Sequence, residues 1–129
     1  MTANAPTLLV VDDVPSFREI IKDMLIDIGF PNVIEAADGS EALEKVRSQE
    51  VALVISDYMM SPKTGIDLLE GLKSDDKLKC VPFIMVSAVS EVEIQQRAIA
   101  LGANGFIPRP ISFDTLRKKV IDALCTTMS

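Results

Sequence analysis

The chain of 129 residues contains no histidine and no tryptophan, two cysteines and one tyrosine. Without histidine there is no imidazole general base, no Ser-His-Asp or Cys-His nucleophile system, and no imidazole metal ligand. Zinc would have to rely on two cysteines and carboxylates, a poor donor set for it. A bound metal is therefore expected to be a hard cation held by oxygen, magnesium or calcium. Positive charge is also scarce: 13 Lys+Arg against 19 Asp+Glu leave a net charge of −6. That balance argues against nucleic-acid binding, which needs clustered cations. Arg117-Lys118-Lys119 is the nearest thing to a basic patch and reads as a solvated helix face. No apolar run approaches the ~20 residues of a membrane span. Residues 1–6 lack the charged and apolar regions of a secretion signal. Cys80 and Cys125 form no CxxC pair and read as reduced, buried thiols of a cytoplasmic protein.

What is present is a globular composition, 48% hydrophobic and 25% charged. The length suits one domain over residues 1–129, with a core over about 7–124. Short apolar runs alternate five times with helical periodicity. Thr7-Leu8-Leu9-Val10-Val11 reads as a strand. Phe17, Ile20, Ile21, Met24, Leu25 and Ile28 then mark one face of a helix, with Pro15 in its first turn and Gly29 just past its end. Val33-Ile34-Glu35-Ala36 is a second strand. Asp38 and Glu41 suggest a capping box for a helix that buries Ala42, Leu43 and Val46. The third strand is Ala52-Leu53-Val54-Ile55-Ser56, followed by a helix with Ile66, Leu68, Leu69 and Leu72. Phe83-Ile84-Met85-Val86 precedes a helix from about Glu91 to Leu101. Gly105-Phe106-Ile107 precedes a last helix, capped by Ser112 and carrying Phe113, Leu116, Val120 and Leu124.

Strict alternation predicts an α/β fold: a doubly wound parallel sheet with helices on both faces. The first, third and fourth strands are almost wholly apolar, as central parallel strands must be. Glu35 and Pro108 place the second and fifth strands at the edges, giving the order 2-1-3-4-5. Ligands of such sheets bind beyond the strands' carboxyl ends, where the strand order reverses. The first strand ends in Asp12-Asp13 and the third in Asp57. Three close carboxylates repel one another unless a cation lies among them or some are protonated, and an oxygen-only cluster selects Mg²⁺. Ser87 and Arg109 fall at the same edge, where a hydroxyl and a guanidinium beside magnesium would receive a tetrahedral oxyanion such as a phosphoryl group.

These residues, with Ala88, Phe106 and the pair Arg109-Pro110, resemble the receiver domain of two-component response regulators. Gly29-Phe30, Asn32-Val33, Glu35-Ala36 and Asp38-Gly39 bring the resemblance closest to the single-domain chemotaxis type. The resemblance implies a flavodoxin-like (β/α)5 receiver fold, whose strand order is the one inferred above. It implies that Asp57 accepts a phosphoryl group from a histidine kinase. It also implies that Asp12, Asp13, Asp57 and the backbone carbonyl of Met59 hold Mg²⁺. Ser87 would bond phosphoryl oxygens, and Phe106 would swing inward as Ser87 moves. The surface of the fourth helix, fifth strand and fifth helix would meet a protein target, such as a flagellar motor switch or a phosphorelay protein. Arg109-Pro110 is expected to be cis.

The sequence departs from the family pattern in three places. Arg109 stands where the family nearly always has Lys; the two differ in shape and charge distribution, which predicts slower phosphorylation or weaker switching. Ser61 precedes Pro62 where Pro is usual. Met59 and Val89 are apolar at positions that tune phosphoryl lifetime, which predicts a long-lived adduct. Two alternatives stay open: a pseudo-receiver scaffold, supported by Arg109, and a Mg²⁺-dependent phosphatase with an Asp nucleophile. The phosphatase would normally carry Asp-x-Asp after the first strand, and here the acids are adjacent.

Overall fold

A computed structural model describes residues 5–88 and 92–128. In chain order the elements are β1 (Thr7–Val11), α1 (Pro15–Ile28), β2 (Asn32–Ala36), α2 (Gly39–Ser48), β3 (Leu53–Asp57), α3 (Gly65–Lys73), β4 (Phe83–Ala88), α4 (Val92–Ala100), β5 (Gly105–Arg109) and α5 (Phe113–Met128). The strands form one parallel sheet in the order β2-β1-β3-β4-β5, as expected.

β1 explains the two-sided burial. Leu8 and Val10 pack with Ile21 and Leu25 of α1 and with Leu116 and Val120 of α5. Leu9 and Val11 point to the other face, into a cluster with Ala42 of α2 and Leu69 and Leu72 of α3. Successive strand residues face opposite sides, so a strand covered on both faces must be apolar throughout. The edge strand β2 tolerates Glu35, which lies 2.9 Å from Arg18 Nε and 3.2 Å from Lys22 Nζ. The hydrogen bond from Arg18, only partly opposed by burial, holds the Glu35 carboxyl below its usual range. β5 runs two residues further than its apolar core suggests: Pro108 and Arg109 stay in register with Ser87 and Ala88. An edge strand tolerates proline because only one side of it needs ladder donors.

Caps set the helix limits. Gly29, at φ 127°, donates its N–H to the carbonyls of Leu25 and Ile26. Asp38 accepts the Glu41 N–H at 2.8 Å, but Glu41 reaches back to the N–H of Ala37 rather than Asp38. Ser112 Oγ accepts the Thr115 N–H at 3.1 Å. The reciprocal capping box sits instead on α3, where Thr64 and Asp67 each accept the other's N–H. Thr64→Ala is expected to cost about 1 kcal/mol in urea denaturation. No loss would mean that Asp67 alone secures the helix start.

Three expectations need correction. Phe17 and Ile20 are 44% and 50% exposed rather than core. The loop after β5, not a strand, faces the first turns of α1, so the helical period runs on where no sheet remains to cover it. Phe113, in the first turn of α5, is likewise exposed. Cys80 and Cys125 are both exposed rather than buried, in the turn before β4 and on α5. Glu91, expected to open the fourth helix, lies outside the described residues.

Candidate functional site

Strand order reverses between β1 and β3, and the chain leaves both strands with acids. Asp57 is the last residue of β3, in register with Val86 of β4. Asp12 follows β1 and donates its N–H to Ala36 O at 3.1 Å. Asp12 and Asp57 are buried at 0% and 7% exposure, whereas Asp13 is exposed. One carboxylate oxygen from each of the three lies within 4.8 Å of the others.

These acids do not cap α1. Val14 holds the N-cap position, with no side-chain cap bond. Asp12 Oδ1 instead accepts the Val14 N–H at 2.9 Å, which orders the turn and leaves Oδ2 for the site. Arg18 supports the same turn from α1, donating from Nη1 to the Asp12 carbonyl at 2.7 Å and from Nε to Glu35 at 2.9 Å.

Arg109 arrives from the end of β5. Its Nη2 lies 3.0 Å from Asp12 Oδ2 and 3.1 Å from Asp57 Oδ1, so one nitrogen spans both buried acids. The guanidinium carbon sits 4.6 Å from the centroid of the Phe17 ring. Arg109 and Phe17 border a groove of about 450 Å³ that Ile20, Ile21, Pro110 and Ile111 complete. A larger groove of about 730 Å³, beside Arg47 and Asp75, contains none of these groups, so the chemistry and not the size of a cavity locates the site. Burial pushes the Asp57 carboxyl up from 3.8 to about 6; Asp12 adds to the rise and Arg109 opposes it.

The backbone around Asp57 is closely packed. Ser56 Oγ donates to the Asp57 carbonyl at 3.0 Å. Tyr58 donates its N–H to Val86 O, and its carbonyl accepts the Gly65 N–H, both at 2.9 Å. Gly65 approaches so near that a Cβ on it would lie 2.5 Å from the Asp57 carbonyl oxygen.

The remaining sequence candidates fall around this edge. Ser87 is buried in β4, directly after the residue paired with Asp57. Phe106 is 8% exposed, turned into the cluster that contains Met60, Met85 and Ala98. Met59 stands in the loop after β3 with its side chain 64% exposed. Val89 lies outside the described residues. Arg109-Pro110 is cis, as is Ser61-Pro62. The sequence reading missed Phe17, Arg18 and Gly65. Their partners are distant in the chain, and only Gly65, a glycine opening a helix after a loop, left a local signal.

The donor set fits a hard divalent cation: carboxylate oxygens only, no nitrogen or sulfur ligand, and more negative charge than one guanidinium balances. The same edge, with a buried carboxylate paired to a guanidinium and a buried serine on the neighbouring strand, has the chemistry to hold a phosphoryl group.

Residues 8–121 match the family described as response regulator receiver domain. The chain is 37% identical over 113 residues to the chemotaxis protein CheY of Pseudomonas aeruginosa, covering 88% of this chain and 91% of that protein. Identity to CheY-3 of Vibrio cholerae is also 37%, over 88% of this chain and 87% of the relative. Among solved structures, the chemotaxis response regulator CheY4 of Vibrio cholerae superposes with a TM-score of 0.84 at 31% identity, covering 94% of this chain and all of that one. A structure described as a response regulator from Chloroflexus aurantiacus gives 0.90 at 25% identity, over 95% of this chain and 99% of its own.

Proposed function

The chain belongs to the response regulator receiver domain family, and from that premise we propose that it is a phosphorylation-controlled regulator that accepts a phosphoryl group on Asp57 from a histidine kinase and signals by protein contact. The convergence of Asp12, Asp13 and Asp57 within 4.8 Å of one another, with Arg109 across two of them, carries this reading. The Asp57 carboxylate attacks phosphorus; its O–P bond forms as the donor histidine's N–P bond breaks, and the imidazole nitrogen leaves with the electron pair. A pKa near 6 leaves Asp57 mostly ionised at neutral pH, yet more basic than an ordinary carboxylate. Asp12, Asp13, Asp57 and the Met59 carbonyl would hold Mg²⁺, which when bound supplies charge neutralisation for the transferring phosphoryl group. Arg109 and Ser87 would hold the phosphoryl oxygens, and Met59 and Val89 would limit water's access to the adduct.

Output would pass through the α4-β5-α5 surface, where Val92 and Ile99 of α4 are about half exposed. Phe106, buried behind that surface, would link it to Ser87. A flagellar motor switch or a downstream phosphorelay protein suits the chemotaxis names of the relatives. No helix among the described residues is long and apolar enough to cross a membrane, and a cytoplasmic role without separate substrate turnover or nucleic-acid binding follows from the same reading. A scaffold that binds partners without phosphoryl transfer is the second reading, favoured by the Arg109 bridge between Asp12 and Asp57.

Incubation with a small acyl or amide phosphodonor and Mg²⁺, followed by intact mass, separates the two. One phosphoryl adduct that is lost in Asp57→Asn is the expected result. An unmodified protein, or an adduct that survives Asp57→Asn, would favour the scaffold.

A further inference from the structure

Phe17, in the first turn of α1, is a large aromatic side chain left 44% exposed, and core packing does not account for it. Its ring lies against Arg109, 4.6 Å from guanidinium carbon to centroid. The same guanidinium's Nη2 occupies the space between Asp12 Oδ2 and Asp57 Oδ1. Asp12 Oδ1 already accepts the Val14 N–H, which leaves Oδ2 turned to the cluster. A divalent cation on this cluster therefore competes with the Arg109 charge for the same two buried acids, and at Asp12 for the oxygen that Arg109 holds. A long arginine side chain loses much rotamer freedom when fixed in one place, and a ring against its face offsets that loss.

We propose that Phe17 is a positioning residue which, by stacking on Arg109, sets how tightly the acidic cluster takes a divalent cation. This rests on the reading of Asp12, Asp13 and Asp57 as a cation site. With the ring in place, Arg109 serves as a tethered counter-ion, and cation entry works against both the ion pairs and the stacking. Without the ring, Arg109 leaves the acids more readily and the cluster opens. Arg18 cannot substitute for it, since its guanidinium is held by the Asp12 carbonyl and Glu35.

The groove offers a simpler role for Phe17, as apolar lining beside Ile20, Pro110 and Ile111. Leucine would fill that role, whereas only an aromatic ring attracts a cation to its face. Mg²⁺ titrations read from backbone amide NMR shifts are to be compared for the parent, Phe17→Leu, Phe17→Tyr and Arg109→Gln. Phe17→Leu is expected to bind Mg²⁺ about threefold more tightly, the scale of a half-exposed cation–π contact. Phe17→Tyr is expected to match the parent. Arg109→Gln is expected to gain about tenfold or more, and adding Phe17→Leu to it should change nothing further. The Arg109 Nε resonance should shift on Mg²⁺ addition in the parent. Parent-like affinity in Phe17→Leu, or a gain that persists in the Arg109→Gln background, would overturn the proposal while leaving the cation site in place. Failure of every variant, Arg109→Gln included, to bind Mg²⁺ would overturn the cation site and this proposal together.

Discussion

Gly65→Ala is expected to destabilise the protein by about 3 kcal/mol, at the upper end of what overpacking a filled interior costs. The added Cβ would lie 2.5 Å from the Asp57 carbonyl oxygen, 2.9 Å from Met85 Sδ and 3.1 Å from Tyr58 Cα. Two of those neighbours are backbone, and the third belongs to a methionine with no exposure. None can step aside as the tip of a surface side chain would. Relief requires moving α3 away from β3, which breaks the Gly65 N–H bond to Tyr58 O, or shifting the peptide that carries Asp57. The defect should therefore reach the site as well as the stability. Gly39→Ala is the control: its Cβ would meet only Leu68 Cβ at 3.7 Å, an ordinary contact. It is expected to stay within about 0.5 kcal/mol of the parent. Equal urea midpoints for the two variants would refute the packing argument.

The second large effect concerns charge. In metal-free buffer, Asp57→Asn is expected to stabilise the protein by about 2–3 kcal/mol at pH 7 and by nothing near pH 3. Asp57 keeps its proton in the fold up to about pH 6, against 3.8 for the ordinary group, chiefly because burial disfavours the anion. Between those values the folded state binds more protons than the unfolded chain, so the parent loses stability as pH rises from about 4 to 6 and then levels off. Asparagine resembles the protonated acid in size and in its lack of charge, and it escapes that loss. Its deficit is Arg109's attraction, which is smaller than the burial effect it opposes. Denaturation in the presence of a chelator at pH 3 and pH 7 checks both ends. A variant less stable than the parent at pH 7 would mean that the Arg109 bridge outweighs desolvation.

The sheet and the acids were legible because they follow from strand chemistry alone. Leu8 to Val11 and Leu53 to Ile55 are apolar at every position, which only two-faced burial requires, and Asp12 and Asp57 stand where those runs stop. Phe17 misled because helical period records which way a side chain points, not whether anything lies there to cover it. The cysteines misled for a related reason: a thiol packs well in a core, but nothing local obliges it to. Thr64 and Asp67 form the stronger capping box, yet Asp stands where the usual signature has Glu or Gln, so the pattern was not recognised. Arg109 was placed at the correct edge by its strand. Its simultaneous hold on Asp12 and Asp57, 97 residues away in the first case, depends on how three strands end in space.

Tyr58 gives this arrangement a practical use. It is the chain's one tyrosine, and no tryptophan is present to absorb or outshine it. Its peptide is fixed to Val86 on one side and Gly65 on the other, immediately beside Asp57. The protein thus contains a native optical probe on the residue that follows Asp57, whose emission is expected to follow cation entry and phosphorylation of Asp57 without any label.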